Sequence, residues 1–370
     1  MSRRKEILKD AGIYSLSSYI GQFFDIFNVI LLRRFLGPTN MGIWSFLQVI
    51  QNYAKHAGLG VTTATARDVP YFLQKGEKEK ADQIKNLVFT YTVLAAIFVA
   101  AGVAIFAFWK QGKYSQPIFI GLFVISALIV LQRLYNLYVV LLRSYKEFAF
   151  AGLLNVASSA LGLFLTLTLV WKFGLYGFFA SVILNYVLML ALIFFKTPYR
   201  FSFYFNAKAL APLLSLGFAV LCSDILRTLL GSIDRIMIAK FLGFEALGHY
   251  SVALMAGNYL YSLPNMLGVI FFPHLQEVFA KRDEHSDLEK YLREPTLAIA
   301  FLIPLLIGFV WIFSNWLVPA ILPQYEAGIP ALKFFVLGSF FMALTHPFSN
   351  FMITVRKHWE LIPVQIGCLI

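Results

Sequence analysis

Basic side chains lie inside or at the edges of long apolar segments of this sequence, where a charge is costly. They are Lys55, Arg133, Arg227, Arg235 and Lys333. A Lys or Arg at the centre of a bilayer costs about 2.5–3.5 kcal/mol even on insertion-based scales, so such a side chain should face a partner or a wet cavity. Ammonium and guanidinium groups in a cavity are suited to binding an anion such as phosphate. The sequence therefore predicts a cationic site within apolar surroundings.

Lys55 shares a predicted helix face with two amide side chains. Gln48, Asn52 and Lys55 are spaced i, i+4 and i+7, which places them on one side of a helix. On a helix over residues 41–65, Lys55 lies about ten residues from the nearer end, roughly 15 Å at 1.5 Å per residue, which is too far for easy snorkelling. We interpret the stripe as part of a substrate-binding surface. A structural ion pair is the alternative for Lys55.

A second stripe at helical spacing is predicted on a helix over residues 209–238. Its members, at i, i+3, i+7 and i+10, are Asp224, Arg227, Gly231 and Asp234, and Arg235 lies beside them. Arg227 is the strongest candidate for contacting an anion, and a pair with Asp224 along the helix is the alternative. Arg235 is a further cavity candidate, for which snorkelling to the nearby membrane surface is the alternative.

Acidic side chains accompany these cations. Asp25 extends a polar stripe on the first predicted helix with Gln22 and Asn28. Asp25, Asp224 and Asp234 are predicted either to bind a coupling proton or sodium ion, or to balance the charge of the arginines.

The fourth predicted helix, over residues 117–142, carries Arg133 and Asn136 on one face. For Arg133 a cavity role and a structural role both stay open. Histidine and cysteine show no metal-ligand spacing, so we expect no metal site and no cofactor other than a coupling ion.

The composition indicates a helical protein that crosses a membrane many times. Of 370 residues, 59% are hydrophobic and 14% are charged, and the mean hydropathy is +0.72. Soluble globular proteins average roughly 25% charged residues, and apolar runs of about 20 residues, the length that crosses a bilayer, recur here. The formal charge of +12 does not indicate nucleic-acid binding, because the basic residues lie in short loops between apolar runs.

Hydropathy predicts ten spanning helices and the start of an eleventh near Glu360. The ten lie near residues 11–32, 41–65, 87–109, 117–142, 148–170, 174–195, 209–238, 247–273, 295–314 and 331–354. With a cytoplasmic N-terminus, most basic residues fall in cytoplasmic connections. The opposite connections hold only Arg33, Arg34, Lys110, Lys113, Lys172 and Lys240. The positive-inside rule therefore predicts a multi-pass protein of the cytoplasmic (inner) membrane with its N-terminus in the cytoplasm.

The sequence contains an internal repeat. The segment LRRFLGPTNMGIWSFLQVIQNY, from Leu32, matches IAKFLGFEALGHYSVALMAGNY, from Ile238, an offset of 206 residues. The repeat unit holds six helices, an even number, so both copies insert the same way up and form two bundles related by an axis along the membrane normal. The shared FLG-x₄-G element predicts a tight hairpin, in which Gly37 and Gly42 permit the turn and a close helix approach.

Three segments carry a resemblance to a known family: RRKEILKDAGIYSLSSYIG, RRFLGPTNMGIWSF and SIDRIMIAKFLGFEALGHYS. They resemble oligosaccharide flippases of the multidrug/oligosaccharidyl-lipid/polysaccharide (MOP) exporter superfamily. The resemblance implies an all-α polytopic membrane protein with two parallel six-helix lobes around a central cavity. We expect an N-terminal lobe over residues 1–205, with helices 1–6, and a C-terminal lobe over residues 206–370. Because members of that family complete at least twelve helices, the second lobe is expected to be truncated within its eleventh.

The resemblance also implies a function: translocation of a polyprenyl-diphosphate-linked oligosaccharide across the membrane, by alternating access, for lipopolysaccharide or capsule biosynthesis. The expected partners are that lipid-linked substrate and membrane lipids, with a polysaccharide polymerase and chain-length machinery as candidates and no nucleic acid. One alternative is a cation-coupled multidrug exporter of the same superfamily, which needs free acidic residues in its cavity. A remote alternative is a membrane-embedded polysaccharide polymerase or ligase. The sequence contains neither H-E-x-x-H nor G-x-S-x-G, so we expect no enzyme.

Overall fold

The computed structural model describes residues 3–281 and 285–354, together with Pro363 and Gly367. The described residues are almost entirely helical and include no β-strand. The α-helices are α1 (Arg3–Ala54), α2 (Thr62–Gln74), α3 (Lys78–Trp109), α4 (Gln116–Ser144), α5 (Phe148–Leu165), α6 (Trp171–Lys196), α7 (Ala207–Leu230), α8 (Ile233–Phe241), α9 (Gly243–Lys281), α10 (His285–Ile321) and α11 (Ile329–Thr354). Lys55–Gly58 and Pro323–Gly328 are 3₁₀ turns, and Thr166–Val170 is π-helical. The predicted start of an eleventh span near Glu360 lies outside the described residues, apart from the two named.

Six segments of the described chain are long and apolar enough to cross a membrane. They are Gly12–Gly58, Lys78–Trp109, Gln116–Ser144, Phe148–Lys196, Leu292–Ile321 and Pro323–Ser349. The first and fourth each cover most or all of two predicted spans, because Gly37 (φ 71°) and Gly174 (φ 57°) turn the chain within them. The chain is therefore a multi-pass helical membrane protein.

The chain forms two compact units. The first contains residues 1–36 and 47–225, and the second contains residues 37–46 and 226–370. The repeat divides the chain by sequence near residue 205, whereas contacts place the boundary inside α7 and assign the first hairpin to the second unit. The all-helical, two-lobed architecture is confirmed, and the division at residue 205 stays a prediction.

The core of the first unit is built around α4, which packs against α3 and α6. Leu122, Ile125 and Leu128 of α4 are fully buried. A Cβ added to Gly121 would overlap the fully buried side chain of Leu47, so the helices approach where glycine leaves room. Such small residues favour helix association in membranes, where lipid is as apolar as leucine and burial alone gives little driving force.

Pairs of a basic and an aromatic side chain lie at the ends of spanning segments. At the end of α3, Nζ of Lys110 is 4.0 Å from the ring centre of Trp109. At the end of α6, the guanidinium carbon of Arg200 is 4.2 Å from the ring centre of Phe194. Amphipathic pairs of this kind are typical of the two membrane–water interfaces.

The predicted hairpins of the repeat each begin at a glycine with a left-handed φ angle. Gly37 has a φ of 71°, and Gly243, its equivalent at the repeat offset, has a φ of 86°. Side chains other than glycine rarely adopt this left-handed region. The predicted glycine turn is confirmed, and it recurs at the equivalent position of the second copy.

Candidate functional site

The helix that leads into Lys55 ends earlier than the sequence predicts. The last α-helical residue of α1 precedes Lys55, and Lys55–Gly58 form a 3₁₀ turn. Leu59 and Gly60 then take left-handed φ angles of 45° and 71°, which an α-helix does not accommodate. The expectation of one continuous helix over residues 41–65 is therefore wrong. Lys55 instead begins a helix break.

Asn52 orients Lys55. The Nζ of Lys55 donates a 2.8 Å hydrogen bond to Oδ1 of Asn52, so their predicted shared face is confirmed. Gln48, the third member of the stripe, is half-buried and does not line the cavity described next. In the second repeat the position of Lys55 is held by Tyr261, which lies inside α9.

A small cavity, of about 10 Å³, lies beside the helix break in the first unit. It is lined by Gln51, Ala54, Lys55, Ile129, Gln132, Arg133 and Asn136. The structure thus brings together Lys55 and Arg133, two of the predicted cavity cations. Asn136 lies on the same side of α4 as Arg133, as their spacing predicts. Two cations and three amide side chains therefore surround one space.

Arg133 packs across the backbone of the helix break. A Cβ added to Gly58 would lie 3.5 Å from Nη1 and 3.6 Å from Nη2 of Arg133. Nη2 is buried and has no hydrogen-bond acceptor in the part of the chain that the structure describes. Leaving a buried donor unsatisfied costs free energy, so this N–H group gains from an acceptor supplied by a ligand.

Two glutamines connect the walls of the cavity, and neither was singled out from the sequence. Nε2 of Gln51 donates a 3.0 Å hydrogen bond to Oε1 of Gln132. The hydroxyl of Tyr186 is also hydrogen-bonded to Gln132. A signal existed, since Gln51 precedes Lys55 by one helical turn and Gln132 adjoins Arg133. Helical periodicity alone does not reveal which polar residues of two different helices will meet.

The lining of the cavity carries positive charge and no negative charge. Lys55 and Arg133 are close enough to repel each other. The ion pairs among the described residues are Arg67–Asp68, Lys80–Glu77, Lys85–Asp82 and His249–Glu245, none of which involves the cavity. Asp224, a predicted ion-coupling or charge-balancing residue, interacts electrostatically with His56, which follows Lys55 in the helix break.

Asp25 belongs to a separate polar cluster of the first unit. Its carboxylate is hydrogen-bonded by Ser159 of α5. Oγ1 of Thr166 donates a 2.6 Å hydrogen bond to Oδ1 of Asn28, one helical turn beyond Asp25. A carboxylate with hydroxyl and amide neighbours inside a membrane can take up a proton or bind a monovalent cation. Within the described residues, no group of three or more His, Cys, Asp or Glu could hold a metal ion.

The predicted stripe on residues 209–238 is interrupted, so the expectation of one helix there is wrong. A turn at Gly231–Ser232 separates α7 from α8. Glycine weakens a helix, and Oγ of Ser232 donates a 2.6 Å hydrogen bond to the carbonyl oxygen of Thr228. The two helices carry, respectively, Asp224 with Arg227 and Asp234 with Arg235.

In the second unit the predicted residues have neighbours of their own. Arg227 is exposed and interacts electrostatically with His346 of α11. Asp234 accepts hydrogen bonds from the hydroxyl of Tyr250 and from the backbone N–H of Arg235. Nε of Arg235 is buried without an acceptor in the described chain. The assignment of Arg227 and Arg235 to substrate binding stays a prediction, as does that of Asp234 to coupling.

The chain matches a family of known proteins over most of its length. The model of a family described as polysaccharide biosynthesis protein matches residues 31–326. The chain belongs to this family. A known protein similar to this chain is the succinoglycan biosynthesis transport protein ExoT of Rhizobium meliloti (strain 1021). The two are 24% identical over 362 residues, which are 94% of this chain and 68% of that protein.

The chain is also similar in fold to solved structures of transporters. One is the inward-facing conformation of a multidrug resistance MATE family transporter of the MOP superfamily, with a TM-score of 0.74, 14% identity, and coverage of 94% of this chain and 83% of that one. Another is a MOP superfamily transporter from Pyrococcus furiosus, described as having a binding pocket of reverse polarity. It has a TM-score of 0.66 and 15% identity, and the match covers 97% of this chain and 85% of that one. The predicted fold, an all-helical membrane protein with two lobes, is confirmed by its similarity to these structures.

Proposed function

We propose that the substrate is a polyprenyl-diphosphate-linked oligosaccharide, carried across the cytoplasmic membrane by alternating access for a surface polysaccharide such as lipopolysaccharide or capsule. The observation that carries the proposal is the cavity of the first unit, in which Lys55 and Arg133 meet without a carboxylate in the lining. Membership of a polysaccharide biosynthesis family supports it, as does the similarity to a succinoglycan biosynthesis transport protein.

The two cavity cations lower the free-energy cost of moving such a substrate through the membrane. An unpaired polar group in hydrocarbon costs several kcal/mol, and a diphosphate carries charge as well. Lys55 offers a point charge and Arg133 a planar fork of N–H donors, which suits phosphate oxygens. The buried Nη2 of Arg133 then gains the acceptor that the described residues do not supply. The prenyl tail stays in lipid throughout.

The amides that line the cavity can form hydrogen bonds to the first sugar of the glycan. Gln51, Gln132 and Asn136 can each donate and accept hydrogen bonds, as sugar hydroxyls do. Asn52 holds the Lys55 ammonium at the cavity wall. The predicted contacts from Gln48, Arg227 and Arg235 remain part of the proposal.

Acidic residues outside the cavity lining are assigned to energy coupling or charge balance. Asp25, with Ser159 beside it, is the candidate for binding a proton or sodium ion. Asp224 and Asp234 have His56 and Tyr250 as neighbours, and charge balance suits their positions.

A multidrug exporter is the second candidate, favoured by the fold shared with multidrug resistance transporters. A cationic drug requires a free carboxylate where it binds, and no Asp or Glu lines the described cavity. The flippase is therefore the better fit. We further propose transport without catalysis.

The proposed setting is the cytoplasmic membrane with the N-terminus in the cytoplasm, which the distribution of basic residues between the connections supports. Membrane lipids surround the protein there. A polysaccharide polymerase and chain-length machinery are proposed protein partners.

The proposal is tested by leaflet transfer in reconstituted vesicles, comparing a polyprenyl-diphosphate oligosaccharide with a cationic dye. Lys55→Gln and Arg133→Gln are each expected to slow glycolipid transfer by about 10–100-fold, because a hydrogen bond to a charged group is worth ~1.5–3 kcal/mol. Lys113→Gln, which removes the same charge from an exposed turn, is the matched control and should transfer normally.

Comparing transfer of the glycolipid with transfer of the dye distinguishes the two candidate functions. Glycolipid transfer that falls in both cavity variants and not in the control supports the proposal. Dye transfer by the unmodified protein, unchanged in Lys55→Gln and Arg133→Gln, would instead establish the multidrug exporter and make the two cations structural.

A further inference from the structure

The segment that follows α6 is held against the first unit by hydrogen bonds. Residues 197–206, called here the strap, connect α6 to α7 without forming a helix or a strand. Nδ2 of Asn86 in α3 donates a 3.0 Å hydrogen bond to Oγ of Ser202, and Oδ1 of Asn86 accepts a 3.1 Å hydrogen bond from the backbone N–H of Ser202. One helical turn along α3, Oγ1 of Thr90 accepts a 2.9 Å hydrogen bond from the backbone N–H of Tyr204. The strap is therefore fixed along α3.

Aromatic contacts hold the first half of the strap. The ring of Phe201 stacks on that of Phe89 in α3, with centres 4.6 Å apart and an angle of 6° between the planes. Tyr138 of α4 meets Phe201 edge to face, with ring centres 4.9 Å apart. Tyr199 stacks on Tyr145, with ring centres 4.4 Å apart. The strap thus packs on α3, on α4 and on the turn that follows α4.

Two phenylalanines of the strap remain largely exposed. Phe203 and Phe205 are 72% and 63% accessible, although the ring centre of Phe203 lies 5.5 Å from that of Phe89. They lie on either side of Tyr204, whose backbone is bonded to α3. Large apolar side chains grouped on a fixed segment indicate an interaction surface.

The strap begins where a crossing of the membrane ends. Lys196 is the last residue of the spanning segment Phe148–Lys196. The four spanning segments before the strap cross the membrane an even number of times, because the first and the last of them each turn back at a glycine. The strap therefore lies at the same membrane face as the N-terminus, which is the cytoplasmic face in the proposed orientation.

The strap and its two ends carry positive charge. Lys196 and Lys208 are exposed, and Arg200 lies between them. The sequence contains no Asp or Glu from residue 148 to residue 223. Glu147 accepts a 3.3 Å hydrogen bond from the hydroxyl of Tyr199, so a carboxylate does meet the start of the strap. The three cations outweigh it, and Lys and Arg side chains at a membrane surface are attracted by anionic lipids.

We propose that the strap binds the anionic lipid surface of the cytoplasmic leaflet. Phe203 and Phe205 insert at the boundary between headgroups and acyl chains, and Lys196 and Lys208 bind lipid phosphates. Arg200 remains at the end of α6, where it donates hydrogen bonds to backbone carbonyl oxygens. Because the strap is fixed to α3 and α4, it ties these helices to one leaflet. The proposal rests on the proposed orientation for the choice of leaflet, and it does not depend on the transported substrate.

The first test measures whether the two phenylalanine positions lie in lipid. In a background where the two native cysteines are serine, Phe203→Cys and Phe205→Cys are each labelled with a nitroxide. The full chain is reconstituted in vesicles of phosphatidylcholine and phosphatidylglycerol. Collisions of the label with oxygen, which concentrates in lipid, are compared with collisions with a nickel chelate, which stays in water. Glu79→Cys, an exposed position in the first turn of α3 at the same face, is the control.

The ratio of oxygen to nickel collisions is expected to be several-fold higher at both strap positions than at the control position. A ratio at Phe203→Cys and Phe205→Cys equal to that at Glu79→Cys would place the strap in water and overturn the proposal. Labels that neither reagent reaches would place the two positions inside protein and overturn it as well.

The second test addresses the charge of the lipid. The collision ratio at Phe205→Cys is expected to rise when phosphatidylglycerol is added to phosphatidylcholine vesicles, and Lys196→Gln combined with Lys208→Gln should abolish that rise. Lys75→Gln combined with Lys78→Gln removes the same charge from exposed positions at the same face, and it should preserve the rise. Binding of anionic lipid by the strap is contradicted if phosphatidylglycerol has no effect, if the strap variant still responds, or if both pairs of substitutions abolish the response equally.

Discussion

Arg133 packs on Gly58, the last residue of the 3₁₀ turn that begins with Lys55. One cation of the cavity therefore lies in the helix break, and the other, from α4, contacts the backbone of that break. An anion held by both would join α4 to the turn between α1 and α2. A bound anion would oppose the repulsion between Lys55 and Arg133, and the cavity lining contains no acidic side chain that offsets this repulsion.

Asn52 is predicted to act as a positioning residue for Lys55. Removing the 2.8 Å hydrogen bond in Asn52→Ala frees the ammonium group, and a bond worth ~0.5–1.5 kcal/mol implies a KM about 2–10-fold higher with kcat little changed. Asn52→Asp should be worse, because a carboxylate would pair with Lys55 and compete with the substrate. Steady-state transfer over a range of glycolipid concentrations separates KM from kcat.

The control for Asn52 is the same substitution in a Lys55→Gln background. If Asn52 acts through Lys55, Asn52→Ala adds nothing there. A full additional loss would mean that Asn52 contacts substrate directly, or only stabilises the fold.

Gln51 and Gln132 are predicted to be energetically coupled across the cavity. Their 3.0 Å hydrogen bond joins α1 to α4, and side-chain hydrogen bonds between membrane helices average about 0.6 kcal/mol, with a maximum near 1.7. A double-mutant cycle of Gln51→Ala and Gln132→Ala, measured by reversible unfolding in bicelles, should give a coupling free energy in that range. Gln51→Ala with Ser181→Ala is the control, because Ser181 hydrogen-bonds to the carbonyl oxygens of Gly177 and Leu165 and to neither glutamine, so the two changes should be additive. Equal coupling in both cycles would contradict the prediction.

The sequence predicts the spans better than the breaks within them. Hydropathy and the six-helix repeat were enough for the membrane class and the two-lobed fold, since both depend on composition over about 20 residues. The turns at Lys55–Gly58 and Gly231–Ser232 depend on single backbone angles and local hydrogen bonds. Hydropathy averaged over about 20 residues does not detect such features.

The site was predicted in part. Lys55, Asn52 and Arg133 were predicted because charged and amide side chains are costly in a span, and such residues within an apolar run can be read directly from the sequence. The pairing of Gln51 with Gln132 depends on how α1 and α4 pack, and that packing depends in turn on the space left by Gly121. No spacing rule within one helix contains this information.

Gly121 is predicted to control the stability of the first unit. A Cβ there would overlap the fully buried Leu47 and lie 3.1 Å from Cζ of Phe179, and overpacking a filled core typically costs about 1–3 kcal/mol. Gly121→Ala should lower the free energy of unfolding by that amount. Gly102→Ala, in open surroundings, should leave stability unchanged or raise it by up to ~1 kcal/mol through helix propensity. Gly121→Ala combined with Leu47→Ala should be less destabilised than the sum of the single variants, and strict additivity would argue against steric overlap.

Asp25 is predicted to be the residue through which an ion gradient acts. Ser159 hydrogen-bonds its carboxylate, and neither Lys55 nor Arg133 is paired with it in the described chain. Asp25→Asn removes the group that can bind a proton or sodium ion but keeps its size and its ability to hydrogen-bond. Transfer driven by an imposed proton or sodium gradient should therefore fall at least about tenfold, while exchange of glycolipid without a gradient continues.

Ser159→Ala should weaken the gradient response less, because it removes one hydrogen bond and leaves the carboxylate. Glu77→Gln, which neutralises a carboxylate outside the spanning segments, is the control and should leave the response intact. A gradient response preserved in Asp25→Asn would assign Asp25 to charge balance, and loss of exchange together with the gradient response would show that it is needed for transport itself.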